Sequence, residues 1–128
     1  MHYLTAQQIL NLHEAVIEET GGSHGVRDQG AVLGLEQLPR QTVFGKDAYH
    51  TVFLKAAVYC RNIIFGHPFV DGNKRTAVLV SSVFLERNGY ELAVPEGSVE
   101  EFALRVISGR LALEEIADWF ESNTKRTA

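Results

Sequence analysis

Residues 50–65 and 76–85 are apolar on nearly every helical face, and a crowded polar segment separates them. The first stretch carries Val52, Phe53, Leu54, Ala56, Ala57, Val58, Tyr59, Ile63 and Ile64. The second carries Ala77, Val78, Leu79, Val80, Val83 and Phe84. A helix that is apolar all round must be surrounded by protein, so both rods belong at the centre of one core. The other elements have to cover them. The chain is 128 residues long and 45% hydrophobic, which supplies one such core and predicts a single domain over 1–128.

The covering elements are mainly helical. Thr5 and Gln8 form a capping-box pattern, and Ile9, Leu12, His13, Val16 and Ile17 then recur at helical spacing until Gly21-Gly22. Asp28 reads as the N-cap of a short helix through Leu38, ended by Pro39. Ser98 with Glu101 reads as a second capping box, opening a helix to Ser108. Leu113 to Ser122 predicts a last amphipathic helix with Ile116, Trp119 and Phe120 inward. Asn88-Gly89 is a left-handed stop after the second rod. Only residues 41–45 and 91–94 look like strand, and Thr42, Val43, Phe44 and Gly45 suggest a short hairpin. The predicted class is mainly α, a compact helical bundle with one short β-hairpin.

Charge and composition narrow the functions. The net charge of -4 makes direct nucleic-acid binding unexpected, since that affinity comes from Lys and Arg neutralising phosphates. The single cysteine, Cys60, lies in the first rod and reads as a buried, inert thiol. No apolar run is long enough to cross a membrane, and the N-terminus carries no signal-peptide pattern. A cytoplasmic location is the simplest expectation. His13 and His50 have no metal-binding spacing and read as surface or satisfied histidines.

Chemistry concentrates between the rods, in Gly66-His67-Pro68-Phe69-Val70-Asp71-Gly72-Asn73-Lys74-Arg75-Thr76. Pro68 forces His67 out of α geometry, so the first rod ends near Phe65 or Gly66. Gly72 permits a tight turn, and the second rod starts at Asn73 or Lys74. The first turn of a helix presents unpaired N–H groups and partial positive charge, which makes an anion site. Lys74 and Arg75 add full charges, Asn73 adds an amide donor, and Thr76 completes the turn. Cations at a helix amino end are disfavoured by the dipole, a cost that a bound anion would relieve. Asp71 is a hard oxygen ligand suited to Mg²⁺. His67 is the one side chain here whose type titrates near neutrality. Base, metal carboxylate and anion cradle within nine residues predict phosphoryl or nucleotidyl transfer, in which positioning and charge neutralisation dominate.

The segment resembles the signature of the Fic/Doc family, His-Pro-Phe-x-(Asp/Glu)-Gly-Asn-Gly-Arg-x-x-Arg, with His67, Pro68, Phe69, Asp71, Gly72, Asn73 and Arg75 in register. The resemblance implies a Fic fold in which His67 is the base toward a target hydroxyl and Asp71 the Mg²⁺ ligand. Asn73 and the loop amides would form the anion hole, Arg75 would hold nucleotide phosphates, and Phe69 would anchor the loop. Two departures stand out: the second Gly of the pattern is Lys74, and its final Arg is Val78. His-x-Phe-x-Asp-x-Asn-Lys-Arg-Thr looks instead like the Doc branch, the death-on-curing toxins. Members of that branch transfer the γ-phosphate of ATP to a threonine of elongation factor Tu and arrest translation. Lys74 would then steady the phosphate in transit.

The resemblance also implies partners. The inhibitory pattern of self-restrained members is absent: Leu92 precedes Glu96-Gly97, and Arg87 follows Glu86 after Ser82. A brake in trans, a Phd-like antitoxin, is expected, and residues 41–47 would be a flap that receives the target backbone, unless they are an ordinary surface loop. Transfer of AMP to a protein hydroxyl and a catalytically idle Fic-fold binding module remain the rival readings.

Overall fold

The computed structural model describes residues 1–127. The apolar rods are α3 (Val52–Gly66) and α4 (Asn73–Arg87), and they pack against each other at the centre. Ala56, Ala57, Cys60 and Ile63 of α3 are wholly buried, as are Ala77, Val80, Phe84 and Leu85 of α4. The Ser81 hydroxyl donates to the Ala56 carbonyl at 2.8 Å, a buried polar link between the rods. Burial pushes the Cys60 thiol up to about 12, which keeps it protonated and unreactive.

Four further helices cover this pair: α1 (Ala6–Thr20), α2 (Gln29–Leu35), α5 (Ser98–Ser108) and α6 (Leu113–Ser122). The fold is mainly α, as the apolar rods require. α1 starts in a complete capping box between Thr5 and Gln8 and buries Ile9, His13, Val16 and Ile17. Asp28 caps α2 by accepting from the Ala31 N–H. α6 lies against α3, with Ile116 and Phe120 buried and Trp119 stacked on Phe102 of α5 at 3.8 Å.

Three local expectations need correction. α2 stops at Leu35, and Pro39 sits inside a separate 3₁₀ turn, Leu38–Arg40, where a proline at the first positions costs no hydrogen bond. Ser98 is the first residue of α5 and not its cap; Gly97 takes that place with φ +87° and no side-chain bond. Two small sheets form where one was expected. β1 (Thr42–Val43) pairs with β2 (Lys46–Asp47), and β3 (Tyr90–Leu92) pairs antiparallel with β4 (Thr124–Arg126). Among the described residues no helix is long and apolar enough to cross a membrane.

Candidate active site

The segment between the rods folds as its residues dictate. α3 ends with His67 in the left-handed region (φ 45°, ψ 55°), where its N–H donates to the Ile63 carbonyl. Pro68 bars helical geometry at His67, and a single left-handed residue is the usual way to stop a helix, normally with glycine. The Gly66 and His67 carbonyls find a partner far along the chain. Arg27 donates from Nε to the His67 carbonyl at 2.8 Å and from a terminal nitrogen to the Gly66 carbonyl at 2.9 Å. A cation at that end also suits the helix dipole.

The loop is then stitched to the 21–28 segment. The Arg27 and Asp28 N–H groups donate to the Pro68 carbonyl, and Val70 N–H donates to the Gly25 carbonyl. Phe69 is buried and stacks on the buried His13 ring at 3.9 Å, nearly parallel. His13 Nε2 lies 2.8 Å from the Asp71 carbonyl, as a donor would. Asn73 spans the turn with its own amide, accepting from the Phe69 N–H at 3.1 Å and donating to the Phe69 carbonyl at 2.9 Å. Gly72 has φ +76°, and a Cβ there would come 3.0 Å from Ile17, so the turn lies directly on α1.

Asp71 is exposed but oriented. One carboxylate oxygen accepts from the Gly72 N–H at 2.9 Å and the other from the Ser23 N–H at 3.2 Å. Gly22 allows this approach, since a Cβ at that residue would stand 2.7 Å from the carboxylate. The same loop is tied to α1 by His24, whose Nδ1 is 2.9 Å from Glu14 and whose Nε2 is 3.5 Å from Glu18. Each Asp71 oxygen keeps a free lone-pair direction toward solvent, so a hard, oxygen-seeking divalent cation fits this donor.

α4 opens differently. Its N-cap, Gly72, offers no side chain, and no acid sits in its first turn. Among the described residues the N–H groups of Asn73, Lys74 and Arg75 have no hydrogen-bond partner. Lys74 is exposed and has no ion pair among the described residues, while Arg75 meets Glu100 of α5 at 2.7 Å. The His67 imidazole is exposed and makes no hydrogen bond among the described residues. The Gly66 and His67 carbonyls at the carboxyl end of α3 are thus held from within, and the amino end of α4 is left open to an anion.

Two expected roles change. Thr76 does not line the open end: its side chain is fully buried, its hydroxyl lacks a partner, and its N–H is held by the Gly72 carbonyl. The Asn73 side chain is committed to Phe69, so the donors it brings to an anion are its backbone N–H and the turn it holds. His67, Asp71, Gly72, Asn73, Lys74 and Arg75 are on one loop and helix start. Residues 42–45 stand apart. Asp47 of their hairpin lies 3.4 Å from the buried Lys55 near the amino end of α3, and among the described residues no hydrogen bond joins the hairpin to the 67–73 loop. Sequence reasoning missed Arg27, His13 and Ser23 as supports. His13 alone carried a signal, since it falls on the apolar stripe of α1.

Fold and site together define a helical domain that sets a free imidazole and a carboxylate beside an uncapped, cation-flanked helix amino end. The model of the Fic/DOC family matches residues 3–85, and the chain belongs to that family, one of transferases. It is 42% identical over 73 residues to "Toxin Doc" of Mycolicibacterium smegmatis, an alignment covering 57% of this chain and 56% of that protein. It is 28% identical over 124 residues to "Protein kinase doc" of Escherichia phage P1, covering 92% of each. Both relatives are Doc proteins, so the chain falls on the Doc branch.

Proposed function

We propose that this chain is a Doc-like toxin that transfers the γ-phosphate of ATP to a Ser or Thr hydroxyl of a protein, with elongation factor Tu as the expected target. The observation that carries the reading is the amino end of α4, with three unpartnered amides, Lys74 and Arg75 beside it, and no acid in its first turn. Such an end favours a polyphosphate. Val78 supports phosphate over nucleotide transfer: where the AMP-transferring pattern needs a second arginine, this chain has a core valine, 2% exposed.

His67 is the base. Its ring is exposed, and among the described residues neither ring nitrogen has a hydrogen-bond partner. The target hydroxyl gives its proton to the imidazole while its oxygen bonds to the γ-phosphorus. The bond to the β,γ-bridging oxygen breaks and ADP leaves. Lys74, Arg75 and the α4 amides hold the charge that develops on the transferred group. Asp71 would hold Mg²⁺, which when bound neutralises charge on the phosphates. A Phd-like antitoxin is the expected partner, and the reading implies action in the cytoplasm.

Incubation of elongation factor Tu with the chain and either γ-labelled or α-labelled ATP tests this. Label from the γ-position is expected, and His67→Ala should lower it roughly 10²–10⁴-fold without a change in melting temperature. Label from the α-position would make the chain a nucleotidyltransferase. Toxicity that survives His67→Ala would make it a binding module.

A further inference from the structure

Among the described residues, Arg75 is the cation at the open end of α4 that has a partner. Its Nη2 lies 2.7 Å from Glu100 Oε1, with the two side chains 50% and 45% exposed. Glu100 is the third residue of α5, whose own N-cap, Gly97, contributes no side-chain bond. The pair therefore joins two helix amino ends, and its carboxylate is the acid that the first turn of α4 lacks.

The pair also stands between two cavities. One of about 360 Å³ is lined by Val16, Val78, Leu79 and Leu92, and one of about 230 Å³ by Lys74, Ala103 and Leu104. Arg75 and Glu100 form part of both walls.

We propose that Glu100 is an internal counter-anion of this site, holding Arg75 across the groove in the free protein and surrendering it to an arriving polyphosphate. This rests on the phosphate seat proposed above. A half-exposed ion pair is weak and exchangeable. A polyphosphate brings more charge than a carboxylate, and it also reaches the α4 amides, which Glu100 leaves unpartnered. Among the described residues one donor of the guanidinium is engaged, so the remaining donors stay ready for the ligand. Glu100 thus acts through Arg75 and weakens nucleotide binding in exchange for an oriented guanidinium.

Calorimetric titration of the full chain with Mg-ATP tests the role, with wild type, Glu100→Gln and Arg75→Ala compared. Glu100→Gln is expected to bind about threefold to fivefold tighter, the size of a partly exposed ion pair. The KM for ATP should fall by the same factor, with kcat at saturating ATP unchanged. A purely structural role would not give that split. Glu100→Ala should repeat the result, which guards against instability of the glutamine variant. Arg75→Ala should bind more weakly than wild type. If Arg75→Ala weakens binding and neither Glu100 variant tightens it, the counter-anion role is wrong and the seat stands. If Arg75→Ala binds as wild type does, the seat fails, and the role of Glu100 fails with it.

Discussion

The 67–73 loop and the 42–47 hairpin are both short connections beside α3, and they are held in opposite ways. The loop is tied at several points along its length, from Arg27 on the Gly66 and His67 carbonyls to Asn73 on Phe69. Among the described residues the hydrogen bonds and ion pair that fix the hairpin lie at its base. Lys55, 1% exposed, donates to the Pro39 carbonyl at 3.1 Å and pairs with Asp47. At its tip Phe44 stands fully in solvent. The proposed base and metal carboxylate would have to be held to fractions of an ångström, which takes redundant bonds. A surface that receives another chain needs open backbone edges and an anchor, and redundancy there would close the edge.

Breaking the loop should cost most. Asn73→Ala removes two hydrogen bonds and leaves the N–H and carbonyl of the buried Phe69 unpaired. The expected loss is about 2–3 kcal/mol, or roughly 10 °C in melting temperature, with transfer falling in parallel because Asp71 and the α4 amides shift. A variant that melts like wild type would show that the loop is held elsewhere. The hairpin should respond less. Lys55→Met keeps the alkyl packing but removes the donor to Pro39 and the pair with half-exposed Asp47, at a cost of about 1 kcal/mol. Amide exchange should accelerate at Ala48, whose N–H is held by the Gln41 carbonyl, and stay unchanged at Val70. Equal acceleration at both would mean that the two regions are not independent.

The contrast also explains what the sequence disclosed. Local rules carried the rods: Pro68 ends the helical geometry of α3, and Gly72 starts α4 within a residue of the expected place. Polar types in the loop marked it as the candidate site, but their division of labour was hidden. Asn73 looked like a donor for a ligand and is a brace, and Thr76 looked like part of the cradle and faces the core, because helix phase is fixed only once α1 and α5 are packed on α4. The supports are distant. His13 is 58 residues from Asp71, and Arg27 is 40 from His67, separations at which no spacing rule operates. β4 was unreadable for another reason: Thr124, Lys125 and Arg126 are polar and mostly exposed, and they become a strand only because β3 offers an edge.

The smallest expected effect sits at the hairpin tip, and it is the sharpest test of the contrast. Phe44 and Gly45 both have positive φ (51° and 77°), the geometry that lets a two-residue turn match the twist of its strands. A phenyl side chain gains nothing there from the fold, since it is fully exposed and its left-handed backbone disfavours a bulky residue. Phe44→Asn places a residue that tolerates that backbone, so stability should stay within about 0.5 kcal/mol or rise slightly. If the tip docks a protein target, the lost aromatic contact should raise the KM for that target roughly tenfold, with Mg-ATP affinity untouched. An unchanged KM for the protein would reduce residues 42–45 to an ordinary turn and leave the 67–73 loop and the amino end of α4 as the whole of the site.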